Sequence, residues 1–274
     1  MSYSCCPTPA AGRSRGQEIG RGAPRVRESD RGDFDMMLSR LTLGVAILAA
    51  VVLFLSGSGT RFGLWPFPTG FMLLKWAAYF GLAAAAIALV GLIVPKLRAG
   101  QGRSFAAALV LGLAVAAVPV YWMQAAGQVP RIHDISTDLD NPPAFDAVLA
   151  QRGDASNPPE HGGPAVAEAQ RRAYPDIRPL VLPLPPADAF AHALRGARAM
   201  GWEIVAQDAA AGRIEATATT LWFGFRDDVV VRVAPTEGGS RIDVRSASRV
   251  GVSDVGANAK RIRAYLARLA NSAD

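Results

Sequence analysis

"DDVVVRVAPTEGGSRIDVRSAS", residues 227–248, decides how the second half of this chain folds. Its two runs alternate apolar and polar side chains around "APTEGGS", a connection of turn formers, which predicts an antiparallel hairpin. Successive strand residues point to opposite faces, so Val229, Val231, Ile242 and Val244 share one side. Arg232, Arg241, Asp243 and Arg245 share the other.

The pattern extends upstream. "WEIVAQD" (202–208) and "GRIEATATT" (212–220) add Trp202, Ile204 and Ile214 to the apolar side and Glu203, Arg213, Glu215 and Thr217 to the polar side. Before them, "ADAFAHALRGARAMG" (187–201) spaces Phe190, Leu194, Ala197 and Met200 as a helix does, with Pro at its start and Gly201 at its stop. After them, Val255, Ile262, Leu266 and Leu269 mark one side of a last helix from Asp254. Residues 186–274 thus read as an α+β core, an antiparallel sheet of about four strands with two helices on its apolar face. The polar face carries charges of both signs and is expected to be solvated, with ion pairs across the strands.

Residues 124–185 hold "NPPAF", "NPPEHGGP" and "YPDIRPLVLPLPP" and predict an extended Pro-rich connector ending in a strand near 177–184. Ahead of it, residues 38–123 contain three apolar runs, about 41–59, 71–95 and 104–123. At ~1.5 Å per residue, about 20 residues span a hydrocarbon layer of ~30 Å. Trp65, Phe67, Trp76, Tyr121 and Trp122 sit at the ends of the runs, where interfacial aromatics belong. The fold expected is therefore a three-helix transmembrane region followed by the α+β domain, with the lipid bilayer as first partner. Residues 1–37 form an Arg/Gly/Ser/Pro-rich tail expected to be disordered, and Met36 and Met37 directly before the first run mark an expected start of translation.

Charge placement predicts the orientation. Seven arginines precede the first run (13, 15, 21, 25, 27, 31 and 40), Arg61 alone lies in the first connection, and Lys96, Arg98 and Arg103 lie in the second. Basic loops stay in the cytoplasm, so the N-terminus is expected inside and the C-terminal domain outside. An Ala-, Arg- and Gly-rich composition points to a high-GC bacterium, so with three crossings the expected location is the inner membrane with the C-terminal domain in the periplasm. The total charge of +6 does not imply a nucleic-acid partner. Residues 1–123 hold 12 Lys and Arg against 5 Asp and Glu, whereas residues 124–274 hold 17 against 18. Cys5 and Cys6 are the only cysteines, so no disulfide can form in the domain.

Chemistry-bearing residues gather at one end of the hairpin: Asp227, Asp228, Arg245, Ser246, Ser248, Arg249, Ser253, Asp254, Asn258 and Arg261. Two readings stay open. Arg245, Arg249 and a helix N-terminus could hold an anion, or Asp227 and Asp228 could pair with the arginines while Ser253 or Asp254 caps the helix. His133, Asp134, Asp138 and Asp140 in "PRIHDISTD" match neither a zinc nor a calcium spacing, so no metal and no cofactor is expected.

The stretches "WFGFRDDVVVRV" and "RIDVRSASRVGVSDVGANAKRI" resemble the signature of the family known as domain of unknown function 1499, and the resemblance extends over residues 131–262. Members often carry a cysteine-bearing segment where this chain has "IHDISTDLDNPPAF", so a thiol-dependent role does not carry over. The resemblance implies no activity. The expected function is non-enzymatic, binding or scaffolding in the cell envelope toward another envelope protein or an anionic envelope ligand. The alternative is an enzyme acting on an anionic envelope lipid or glycan, with Arg245 and Arg249 holding charge and Asp227 or Asp228 as base.

Overall fold

A computed structural model describes residues 1–2, 28–153 and 155–271. The tail between them, residues 3–27, lies outside the described residues. Helix α1 runs Glu28–Arg61, α2 Phe67–Ile93, the short α3 Pro95–Arg98 and α4 Gly102–Gly127. Helix α1 begins ahead of the 37/38 boundary expected from composition. Three of these helices are long and apolar enough to cross a membrane.

They meet through small residues. Gly81 of α2 and Gly112 of α4 bring two backbones together: a Cβ on Gly112 would collide with the Gly81 carbonyl oxygen. Ala84, Ala85 and Ala88 continue this face, and Phe105 fills the space above Gly91. Ser39 donates to Gln101 Oε1 at 2.8 Å, tying α1 to the start of α4.

The remainder is an antiparallel six-stranded sheet with helices. Strand β1 is Asp134–Ser136, helix α5 Gly163–Ala173, β2 Leu180–Leu182, α6 Pro186–Ala199, β3 Glu203–Asp208, β4 Arg213–Thr219, β5 Arg226–Thr236, β6 Gly239–Ser248 and α7 Ala257–Asn271. The order is β1-β6-β5-β4-β3, and β2 joins β1 on the outer edge of β6. The β5–β6 hairpin closes over Glu237 and Gly238, with Thr236 opposite Gly239, so the strands run further than the sequence pattern marks. Gly238 supplies the positive φ this tight turn needs.

Helices α6 and α7 cover the apolar face, where Phe190, Ala193, Ala197, Ile262, Tyr265 and Leu269 pack on Ile214, Val229, Val231, Ile242 and Val244. Gly196 lets Tyr265 and Leu269 approach α6, and the Tyr265 hydroxyl donates to the Ala193 carbonyl at 2.8 Å.

The connector is more structured than its prolines suggest. Besides β1 and β2 it holds a 3₁₀ turn, Ala147–Gln151, and α5. Pro164 opens α5, and Ala167 and Gln170 form its buried side. The Gln170 amide accepts from the Ser136 amide at 3.0 Å and donates to the Ser136 carbonyl at 2.6 Å, closing the edge of β1 as another strand would.

The polar face of the sheet is solvated only at its rim, where Glu203, Arg213 and Arg241 stand. Glu215, Asp228 and Val230 are fully buried on that face, beneath the connector, where Phe145 and Val148 pack on Val230 and Ala247. The centre of the sheet is therefore buried on both faces, and the polar side chains there must find partners within the protein.

Replacing Gly112 with valine should force α2 and α4 apart and destabilise the bundle by about 1–3 kcal/mol. A thermal melt of the full chain in detergent checks this: the melting temperature should fall, while Gly127→Val, at a position where a Cβ would meet nothing within 4 Å, should leave it in place.

Candidate functional site

The ten signature residues separate by strand alternation into two clusters on opposite faces of the sheet. On the connector face, β1 lies antiparallel to β6 with Asp134 opposite Ala247 and Ser136 opposite Arg245. That register brings Asp134 to Arg245. The Arg245 guanidinium donates through Nε and Nη2 to the two Asp134 oxygens at 2.9 and 2.8 Å, and further to the Pro143 and Pro159 carbonyls at 3.1 and 2.7 Å. It stacks over the Phe145 ring at 4.5 Å and is 2% exposed.

The second pair is centred on Asp228. Arg249 donates from Nε and Nη2 to Asp228 Oδ1 at 3.0 and 2.7 Å, from Nη2 to the Thr217 hydroxyl at 3.1 Å, and from Nη1 to the Gln151 carbonyl at 2.8 Å. Arg152, from the connector, donates to the other Asp228 oxygen and to the Asn157 carbonyl. Asn157 in turn donates to the carbonyls of Ser248 and Gly251, both at 2.9 Å. Glu215 accepts the backbone N–H groups of Asp146 and Val148, each at 3.0 Å, and so caps the 3₁₀ turn from below. At the rim, Asp138 and Asp243 both accept from Arg232 and Arg241.

Across this face Arg152, Arg213, Arg232, Arg241, Arg245 and Arg249 meet Asp134, Asp138, Asp146, Asp228, Asp243 and Glu215. Charge is balanced among these described residues, so they leave no surplus cation for an anionic ligand. The open depression nearby is lined by residues around Arg152 and Asn157, and Arg152 already donates there to Asp228 and to the Asn157 carbonyl.

On the helix face Asp227 accepts from Arg261 of α7. Ser246 donates to Asn258 Oδ1 at 2.7 Å, Asn258 Nδ2 donates to Ser248 Oγ at 3.0 Å and to the His133 carbonyl at 2.9 Å, and Arg261 donates to Ser246 at 2.9 Å and to Asn258. Asp254 accepts the N–H groups of Gly256 and Asn258, both at 2.8 Å, so its carboxylate already fills the start of α7. Burial pushes the Asp254 carboxyl above the usual carboxylate range, and Asp227 adds to this, while the two backbone donors and Arg261 oppose it. Ser253 accepts from the Val255 amide at 3.3 Å in a turn that holds Val255 at φ +53°, a strained value for a β-branched residue.

Asp227 and Asp228, adjacent in sequence, thus serve different faces and different arginines, and Arg245 is paired with neither. Asp138 and Asp140 are likewise engaged by arginines, Asp140 by Arg171. Among the described residues no three His, Cys, Asp or Glu side chains converge as a metal-binding set. Sequence reasoning missed Arg152, Thr217 and Asn157 as partners and assigned Asp134 no arginine. Only the register of β1 against β6 reveals that last pair.

A family model described as "Protein of unknown function (DUF1499)" matches residues 134–269, which take in all ten signature residues. No curated protein matches the chain. Among solved structures, the crystal structure of TTHA0849 from Thermus thermophilus is similar at 12% identity and a TM-score of 0.23, over 35% of this chain and 97% of that one. A likeness of that size carries no argument.

Asp228→Asn should destabilise the domain by about 3–5 kcal/mol, because two buried guanidiniums lose their shared carboxylate. Denaturant unfolding of the full chain checks it; a change within ~0.5 kcal/mol, typical of a surface substitution, would contradict the buried-lock reading. Acid should loosen the same face through His161. The His161 Nδ1 accepts the Gly163 amide while its Nε2 has no partner, beside the Asp134–Arg245 pair. Burial chiefly, and Arg245 secondarily, hold its pKa below 6.5, against Asp134. The folded chain therefore binds this proton less readily than the unfolded one. Stability from this group is full above pH 6.5 and is lost as pH falls from there toward the lowered value. His161→Gln should flatten that part of a stability–pH curve.

Proposed function

We propose that this member of the DUF1499 family, whose family domain spans residues 134–269, is an integral membrane protein that displays a non-catalytic binding or scaffolding domain on the outer side of a bacterial inner membrane. Three apolar helices support the membrane part. The orientation rests on Lys96, Arg98 and Arg103 in the second connection against Arg61 alone in the first. Three crossings then carry the family domain to the periplasmic side.

The observation that carries the non-catalytic reading is the engagement of the signature arginines. Arg245 and Arg249 are 2% and 6% exposed and spend their donors on Asp134, Asp228 and backbone carbonyls. A general base must reach a substrate proton, yet Asp227 and Asp228 are buried and paired. The signature then works as the internal frame of a rigid platform. Its partner, another envelope protein or an anionic envelope ligand, meets the outer side of the connector and the loops and not the strands.

Two measurements test this. A reporter active only outside the cytoplasm, fused after Asp274, should be active; activity only from a cytoplasmic reporter would overturn the orientation. Asp254→Asn keeps one of the two acceptor oxygens at the α7 cap and removes the carboxyl with the raised pKa. It should complement a deletion strain fully, and loss of function with an intact fold would favour acid–base catalysis instead.

A further inference from the structure

We infer that the β4–β5 turn, Leu221–Phe225, is a wedge seated in the lipid layer beside α1 and α2, with the Leu221 side chain among lipid acyl chains. The inference rests on the reading of α1, α2 and α4 as membrane spans.

Depth is the first observation. The Trp222 indole N–H donates to the Phe54 carbonyl at 3.2 Å. Phe54 lies two turns below Arg61, the last residue of α1, which at ~1.5 Å per residue is about 10 Å down the helix. A turn that hangs from a domain above the bundle yet bonds this far down stands alongside the helices and not on top of them.

The bundle is shaped to receive it. A Cβ on Gly57 would collide with the Trp222 ring, so glycine there leaves the notch that this ring fills. A Cβ on Gly70 would collide first with Thr60 Oγ1 and the Ser56 carbonyl of α1, and would stand 3.0 Å from Phe223, so Gly70 lets α1 and α2 close up beside that ring. Phe223 and Phe225 stack on each other at 5.5 Å, and Phe71 lies 5.1 Å from Phe223 while Phe67 lies 5.8 Å from Phe225.

Polar groups at the base of the turn find partners within the protein. Arg61 donates to the Thr220 and Leu221 carbonyls at 2.7 and 2.9 Å. The Thr220 amide donates to the Phe225 carbonyl at 2.8 Å, and the Phe225 amide donates to the Thr220 hydroxyl at 2.9 Å. Alongside, the hydroxyls of Ser56, Ser58 and Thr60 bond back to carbonyls of α1.

The apolar groups that no protein covers point to the occupant. Leu221 is 87% exposed, and Phe62 and Leu64 in the α1–α2 connection are 76% and 69% exposed. They continue the exposed apolar faces of α1 and α2, where Phe54, Leu55, Phe71 and Met72 stand. The same lipid that covers those faces covers Leu221.

The test is spin-label accessibility in phosphatidylcholine–phosphatidylglycerol vesicles, on the full chain with Cys5→Ser and Cys6→Ser. A label on Leu221→Cys should collide with oxygen several-fold more than with a water-soluble nickel chelate, relative to a label on Glu237→Cys at the far hairpin. Nickel accessibility at 221 equal to that at 237 would overturn the wedge, and so would low accessibility to both reagents, which would place a protein partner there. A label on Ile87→Cys, on the exposed side of α2, separates the two readings. If it too is open to nickel, the membrane reading fails; if it reports lipid while 221 reports water, the wedge alone fails.

Discussion

One carboxylate, that of Asp228, is shared between Arg249 at the end of β6 and Arg152 in the connector, with no exposed surface of its own. The rest of the domain is arranged around that constraint. A buried charge is tolerated only when paired and hydrogen-bonded, so the connector must come down on the sheet to deliver Arg152. In doing so it brings Asp134 to Arg245, lays Phe145 on the Arg245 guanidinium and Val148 on Val230, and receives the Glu215 carboxylate under the 3₁₀ turn. What begins as an open sheet with one apolar face becomes a three-layer structure: helices, strands and a covering loop.

Buried ion pairs of this kind add little net stability against well-packed apolar groups, because desolvation consumes most of the attraction. Their effect here is on register. A slip of one residue in β5 would carry Asp228 to the helix face and Asp227 to the connector face, leaving both opposite the wrong partners. Because both faces are buried, each alternative pairing strands charges on both sides. The consecutive acids, and the Arg-Ser-Ala-Ser-Arg run opposite them, are the trace of this two-sided specification in the sequence.

The apolar face was legible because Ile214, Ala216, Val229, Val231, Ile242 and Val244 recur at every second position of their strands, and the three apolar runs were legible by length. The covered face was not. Glu215, Thr217 and Arg245 have the composition of a solvated face, and nothing local distinguishes a charge facing water from one facing a paired arginine in a distant segment. Helix α5 was hidden because Gln170 occupies the centre of its buried side, where a helical pattern calls for an apolar residue. The division of the signature between two faces follows from alternation, but its partners Asp134 and Arg152 lie about a hundred residues away, and only strand register and chain path bring them in. The aromatic turn "LWFGF" stood out only as part of a family signature; its seat beside α1 depends on Gly57, a glycine that looks ordinary at the end of an apolar run.

Amide hydrogen exchange on the full chain in detergent tests the central claim most directly. The Asp146 and Val148 amides, bonded to the buried Glu215 carboxylate, should be protected to nearly the same degree as Val229–Val231 in the middle of the β5–β6 ladder, because the connector and the sheet open together. Exchange at Asp146 and Val148 as fast as in an unprotected loop, while the ladder stays protected, would show that the connector does not seal the face and would contradict the account.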